Sequence, residues 1–287
     1  MGKVRPAAVA GSWYPDTAPD LAREVDGYLS AVGRGTVDFD RLVALIAPHA
    51  GLRYSGPVAA HAYHFLRRHT FDVIVLVGPS HFVAFDGVAV WVAGGFQTPF
   101  GIAPIAEDCA TAIMAATPIV REHAAAHGRE HSLEMQLPFV QRLAPGVPIV
   151  PLLMGLQTAE TSRALGEALG TALRSRRALL VASTDLSHYY DAASAARLDD
   201  VVVEHVSRFD ADGLQHALNQ NPHHACGGGP TVAVMHAARS LGADEAVVLK
   251  YADSGNVSGD KSSVVGYMAA ALGNKSSEVR SSSVHDQ

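Results

Sequence analysis

Short runs of aliphatic and β-branched residues alternate along the chain with longer stretches in which apolar positions recur every three or four residues. The short runs predict strands over residues 42–47, 72–77, 88–92, 149–154, 178–182, 246–251 and 264–267. The longer stretches predict helices over 18–31, 57–68, 106–115, 132–143, 159–173, 192–208, 211–219 and 231–241. The glycines of "SAVGRG" mark the end of the first helix. Strand–helix–strand order predicts one α/β domain over residues 1–272, with a mostly parallel or mixed central sheet and helices on both faces. Residues 273–287, "GNKSSEVRSSSVHDQ", are polar, Ser-rich and aperiodic, and are expected to form a flexible tail.

Composition narrows the function classes. Hydrophobic residues make up 48% of the 287 positions and charged residues 17%, enough apolar material for a large core. The net charge is −6, without a basic cluster, which argues against nucleic acid and anionic membrane surfaces as partners. No apolar run reaches the length of a membrane span, and the first fifteen residues lack the apolar core of a signal peptide, so a cytoplasmic protein is expected. The two cysteines, Cys109 and Cys226, make no disulfide framework.

Fifteen histidines stand out. Those at 61, 64, 69 and 236 fall in helical stretches and read as packing or surface groups. Others fall where chemistry is expected. In open parallel α/β sheets, ligands bind beyond the carboxyl ends of the strands. His49 follows the strand 42–47, His81 in "GPSH" follows 72–77, and Asp185 and His188 in "STDLSHY" follow 178–182. Each placement alone has an ordinary reading, as a turn histidine or, for Asp185, a helix cap. Three strands delivering imidazoles to the same edge point instead to a metal. Cys226, in "ACGGGP", precedes a helix N-terminus, where thiolate is expected to be favoured. Two imidazoles and a thiolate suit iron(II), copper or zinc. Cys109 lies inside a helical stretch and reads as a buried small residue. Glu130, His131 and Glu134 in "REHSLEMQLPF" read either as carboxylates orienting imidazole ligands or as a capping arrangement around Ser132. The polar loop "YADSGNVSGDKSSVVGY" reads as an ordinary turn or as a cradle for a polar group.

Seven motifs in chain order, "GSWYP", "APHAGLRYSG", "GPSH", "REHSLEMQLPF", "STDLSHY", "ACGGGP" and "SGNVSGDKSSVVGY", resemble the Memo family, whose prokaryotic members are often labelled AmmeMemoRadiSam system protein B. The resemblance runs from Gly11 to Tyr267. It implies a class III extradiol dioxygenase-like fold, that of non-haem iron(II) enzymes which open catechol rings. By motif it implies His49, His81 and Cys226 as metal ligands, with Asp185 and His188 beside the metal. It also implies Trp13 and Tyr54 as walls of a substrate pocket. One departure matters: the dioxygenases use a carboxylate where Cys226 stands, and a thiolate alters the redox behaviour of the metal.

The expected function is therefore a metal-dependent redox enzyme, with iron(II) first and copper or zinc as alternatives. In it, His188, held by Asp185, acts as acid and base near bound oxygen. The alternatives are a non-catalytic module that binds a peptide or small metabolite in the same pocket, and a metallohydrolase. Homo-oligomer formation and a functional link to a radical-SAM protein complete what the resemblance implies.

Overall fold

The computed structural model describes residues 3–33 and 37–275. Twelve strands are described: β1 (Val4–Arg5), β2 (Phe39–Ala47), β3 (Val73–Pro79), β4 (Val88–Val90), β5 (Gly95–Thr98), β6 (Gly101–Pro104), β7 (Val120–Glu122), β8 (Ile149–Met154), β9 (Ala178–Ser183), β10 (His188–Tyr190), β11 (Glu245–Asp253) and β12 (Val264–Lys275). The helices are α1 (Ala18–Ala31), α2 (Leu52–Tyr63), α3 (Glu107–Ala116), α4 (Ala124–His127), α5 (Leu137–Leu143), α6 (Ala159–Ala172), α7 (Ala192–Ser207), α8 (Ala211–Gln220), α9 (Gly228–Ser240) and α10 (Gly255–Ser258).

The main sheet runs β10-β12-β2-β9-β3-β8-β4-β7, with β11 on β12. Its centre, β2-β9-β3-β8, is parallel, and β12 joins β2 antiparallel while β4 joins β8 antiparallel. The sheet is thus mixed, with a parallel centre between antiparallel flanks. This is the single α/β domain, with a mixed sheet and helices on both faces, that the sequence predicts. A small second sheet, β1-β5-β6, packs beside it.

The central strands are buried on both sides, so they read as continuous apolar runs. Their side chains still alternate between two cores. Val73, Val75 and Val77 join one core with α3, α6, α7, α8 and α9. Ile74 and Leu76 join the other with α1, α2 and α5. Cys109 lies in the first core, fully buried, as its helical setting predicts.

Several boundaries differ from the sequence reading. The second helix starts at Leu52 rather than at 57, because Pro57 is tolerated inside it and the Leu52 N–H is taken up by the Trp13 carbonyl at 2.8 Å. The stretch 132–143 splits into a 3-10 turn, Glu134–Gln136, and α5. β12 continues through Lys275 by pairing with β2, so residues 273–275 belong to the sheet and not to a tail; residues 276–287 lie outside the described residues. The polar loop after β11 forms the short α10, closed by a Lys261–Asp253 ion pair at 2.6 Å. Among the described residues no helix is long and apolar enough to cross a membrane.

Candidate metal centre

The order β2-β9-β3 places three parallel carboxyl ends side by side. His49 lies two residues beyond β2, Asp185 two beyond β9 and His81 two beyond β3. Cys226 reaches them from the turn before α9, where its N–H donates to the Asp185 carbonyl at 3.1 Å. That turn presses against β9: a Cβ on Gly227 would stand 2.3 Å from the Ser183 carbonyl oxygen, so only glycine allows the approach. Gln157 clamps the same turn, donating to the Cys226 carbonyl at 2.7 Å and accepting from the Gly229 N–H at 2.8 Å.

One ligand atom from each of His49, His81 and Cys226 lies within 4.8 Å of the other two. Cys226 Sγ is 3.3 Å from His49 Nε2. Each imidazole is also held from behind. His49 Nδ1 sits 2.9 Å from Ser183 Oγ, and His81 Nδ1 sits 2.9 Å from Glu130 Oε1. This is the arrangement by which outer partners orient ligating histidines. Two nitrogens and a soft sulfur converge with their outer partners in place, so the residues fit a transition metal of the iron, copper or zinc type.

Glu130 takes the orienting role that the sequence offered as one of two readings. Its Oε2 accepts from the His81 N–H at 2.6 Å, and its Oε1 accepts from the N–H groups of His131 and Ser132 at 2.9 Å each. Burial pushes its carboxyl up, but the hydrogen bonds from His81 and the backbone prevail and hold it down at about 2. Glu134 does something else. Fully buried, it pairs with Arg5 and accepts from Tyr14 Oη at 2.7 Å and from the N–H groups of Ala8 and Val9. It anchors the N-terminal segment, not an imidazole.

Asp185 and His188 do not pair as expected. Asp185 Oδ1 accepts from the backbone N–H groups of His49 at 2.7 Å and Ala50 at 3.3 Å, so the carboxyl fixes the His49 turn. Burial raises it to about 7, against those two hydrogen bonds. His188 is held instead by the Leu186 carbonyl, 2.8 Å from its Nδ1. A carbonyl only accepts, so Nδ1 carries the proton and Nε2 is left as a base. Burial keeps His188 below its ordinary value and so neutral. The chain turns sharply just after it, with Tyr189 at φ 66°.

Cys226 also departs from the sequence reading. Burial, and next the nearby Asp185 carboxyl, push the thiol well up, against the hydrogen bond that the Asp185 N–H gives the sulfur. In the metal-free protein it is a thiol; ligation would require the thiolate. His49 lies well below its ordinary range through burial and the neighbouring histidines His81 and His131.

Trp13 and Tyr54, 37% and 39% exposed, lie near the His49 turn: a Cβ on Gly51 would stand 3.8 Å from the Trp13 carbonyl and 3.9 Å from Tyr54 Cδ2. Trp13 packs on a residue that the sequence reading did not assign to the metal environment itself. The His131 ring lies 4.3 Å from Trp13, stacks on His81 at 4.8 Å, and meets His49 edge-on at 5.7 Å. Burial lowers His131 to about 4. Its sequence signal was only adjacency to Glu130, because no strand end precedes it.

A family model described as Memo-like protein matches residues 5–271. A MEMO1 family protein of Methanothermobacter thermautotrophicus is 37% identical over 276 residues, covering 92% of this chain and 98% of that protein. A MEMO1 family protein of Methanopyrus kandleri is 36% identical over 275 residues, covering 92% and 97%. An uncharacterized protein of Escherichia coli K12, known by crystal structure, shares the fold at TM-score 0.53 and 18% identity, covering 82% of this chain and 100% of its own. With its seven motifs in order and a match spanning nearly the whole sequence, this chain belongs to the Memo-like protein family.

Proposed function

We propose that this protein is a non-haem, iron(II)-dependent redox enzyme in which His49, His81 and Cys226 hold the metal. The observation that carries the reading is the meeting of those three donors just past β2 and β3 and just before α9, with His49 braced by Ser183, His81 by Glu130 and Cys226 by the Asp185 N–H. Iron(II), when bound, supplies open positions and electron-transfer chemistry toward O2 and an electron-rich substrate. The rest falls to the chain. His188, neutral and with Nε2 free to accept, takes a proton from an acidic substrate hydroxyl and returns it later. Trp13 and Tyr54 flank a flat substrate, with Trp13 braced on His131. Asp185 keeps the His49 turn in place throughout.

Anaerobic loading with iron(II) and elemental analysis test the metal reading. One iron per chain is expected, and both His49→Ala and His81→Ala should lose it; full retention in both variants overturns the site. Oxygen uptake with a panel of catechols then tests turnover.

A second reading has its own support: Trp13, Tyr54, Phe82 and Tyr189 are all exposed near the site, as a recognition surface for a peptide or metabolite requires. Stoichiometric iron without oxygen uptake across the panel would favour it.

A further inference from the structure

Beneath His49 lies a set of fully buried polar groups: Tyr63 on α2, Gln136 in the 3-10 turn before α5, and Ser183 at the end of β9. Tyr63 Oη is 2.8 Å from Gln136 Oε1. Gln136 Nε2 is 3.1 Å from the Pro48 carbonyl and 2.7 Å from Ser183 Oγ. Ser183 Oγ is in turn 2.7 Å from the Ser132 carbonyl and 2.9 Å from His49 Nδ1.

The direction of every bond in this set follows from its two ends, because backbone carbonyls only accept. The Pro48 carbonyl requires an amide nitrogen opposite it, so Gln136 presents Nε2 to Pro48 and Ser183, and its Oε1 accepts from Tyr63. The Ser132 carbonyl takes the one hydroxyl proton of Ser183. That hydroxyl has no second proton to give, so toward His49 it accepts. His49 Nδ1 therefore carries the hydrogen, and Nε2 is left with a bare lone pair. Nε2 is the atom that faces Cys226 Sγ at 3.3 Å. The opposite tautomer would set two lone pairs against each other between His49 and Ser183, both buried, where an unpaired polar group is costly.

We propose that Ser183 and Gln136 are positioning residues for His49: Ser183 locks the ring in its Nδ1–H tautomer, so that Nε2 is ready as a donor before any metal arrives, and Gln136 holds Ser183 and the backbone before His49 in place. The proposal rests on the reading of His49 as a ligand. Gln136 acts twice, since the carbonyl it holds belongs to Pro48, the residue just before His49: one side chain sets both the ring and the backbone that carries it.

The test begins with the metal-free protein labelled with nitrogen-15 at histidine. Long-range proton–nitrogen correlation spectra distinguish the two tautomers, and comparison with His49→Gln identifies the His49 signals. A protonated Nδ1 and an unprotonated Nε2 are expected; the reverse overturns the proposal without any further variant. In Ser183→Ala the Nε2–H form should appear and cobalt(II) affinity should fall about 10- to 100-fold, as for loss of an outer partner. Ser183→Thr, which keeps the hydroxyl, should restore both. Gln136→Met, which removes the amide at similar volume, should weaken cobalt(II) binding several-fold while the tautomer stays as in the wild type, because Ser183 still points to Ser132. Unchanged tautomer and affinity in Ser183→Ala overturn the positioning role. Wild-type protein that fails to bind cobalt(II) or iron(II) removes the metal reading and leaves the tautomer result standing.

Discussion

Cys226 Sγ lies 3.3 Å from His49 Nε2, although 177 positions separate the two residues in the chain. The contact joins the turn before α9 to the end of β2 and makes the sulfur a partner of the two-imidazole site. Cys226→Ser should lower metal affinity by more than the roughly 100-fold upper range seen for outer partners. A competition titration against a chromophoric chelator measures it, and affinity within tenfold of wild type would remove Cys226 from the ligand set.

The same sulfur sets a pH dependence. Burial and Asp185 keep the Cys226 thiol protonated through neutral pH in the metal-free protein. Ligation must then expel one proton, so affinity should rise about tenfold per pH unit across neutrality. Proton release measured by calorimetry in buffers of different ionisation enthalpy checks this. Cys226→Ser should release about one proton fewer, the raised direction of the thiol being the reason.

Glu130 links metal binding to acid stability. Its folded carboxyl is held at about 2, below the ordinary 4.5. A depressed carboxyl stabilises the fold above its unfolded value, and that contribution fades as pH falls from 4.5 toward 2. The shift corresponds to about 3 kcal/mol at neutral pH. Glu130→Gln should therefore be less stable at pH 7 and show a flatter loss over that acidic window, read by urea unfolding at each pH. It should also weaken metal binding about 10- to 100-fold through the loosened His81 ring. A wild-type acid profile in the variant would count against the carboxylate's role.

Trp13 offers an optical report on the pocket. The other tryptophan, Trp91, is buried, and Trp91→Phe isolates the emission of Trp13. His131, 4.3 Å away and lowered to about 4, stays neutral at physiological pH. A protonated imidazole quenches indole, so emission should hold steady down to about pH 5 and fall as pH passes through 4. His131→Ala should abolish that fall; a transition near 6.5 instead would mean that the ring is not packed as described.

The N-terminal segment that carries Trp13 is tied down by Arg5. Its guanidinium is buried between Glu134, at 2.5 Å, and the carbonyls of Glu130 and His127, and it lies over the Phe96 ring at 4.8 Å. Arg5→Ala leaves Glu134 buried and unpaired, a loss of about 3–5 kcal/mol. Chemical unfolding of the variant checks the magnitude. In the Trp91→Phe background, Trp13 emission should also shift to longer wavelength as its segment loosens.

Patterning predicted seven strands and most helices because their apolar residues form unbroken runs or recur at helical spacing along the chain. Five of the six strands of two to four residues, β1, β5, β6, β7 and β10, carry too few residues for any period to show, and they form only because neighbours pair with them; β4 is the exception because its apolar run extends to Val92. The antiparallel flanks were illegible for a related reason: strand direction depends on how the chain returns, not on the apolar run itself.

The sequence by itself determined which residues stand at strand ends, and therefore that His49, His81 and Asp185 share one rim once β2, β9 and β3 are neighbours. It also placed a glycine-flanked thiol before a helix. Only the tertiary structure decided what those groups touch. Asp185 holds the backbone of His49 rather than the ring of His188, His131 joins the cluster from a turn with no strand before it, and Ser183 and Gln136 lie under His49 from elements far apart in the chain. The physical reason is that a hydrogen bond is won by whichever donor folding brings within about 3 Å, and that distance is set by how the elements pack, which spacing along the chain does not encode.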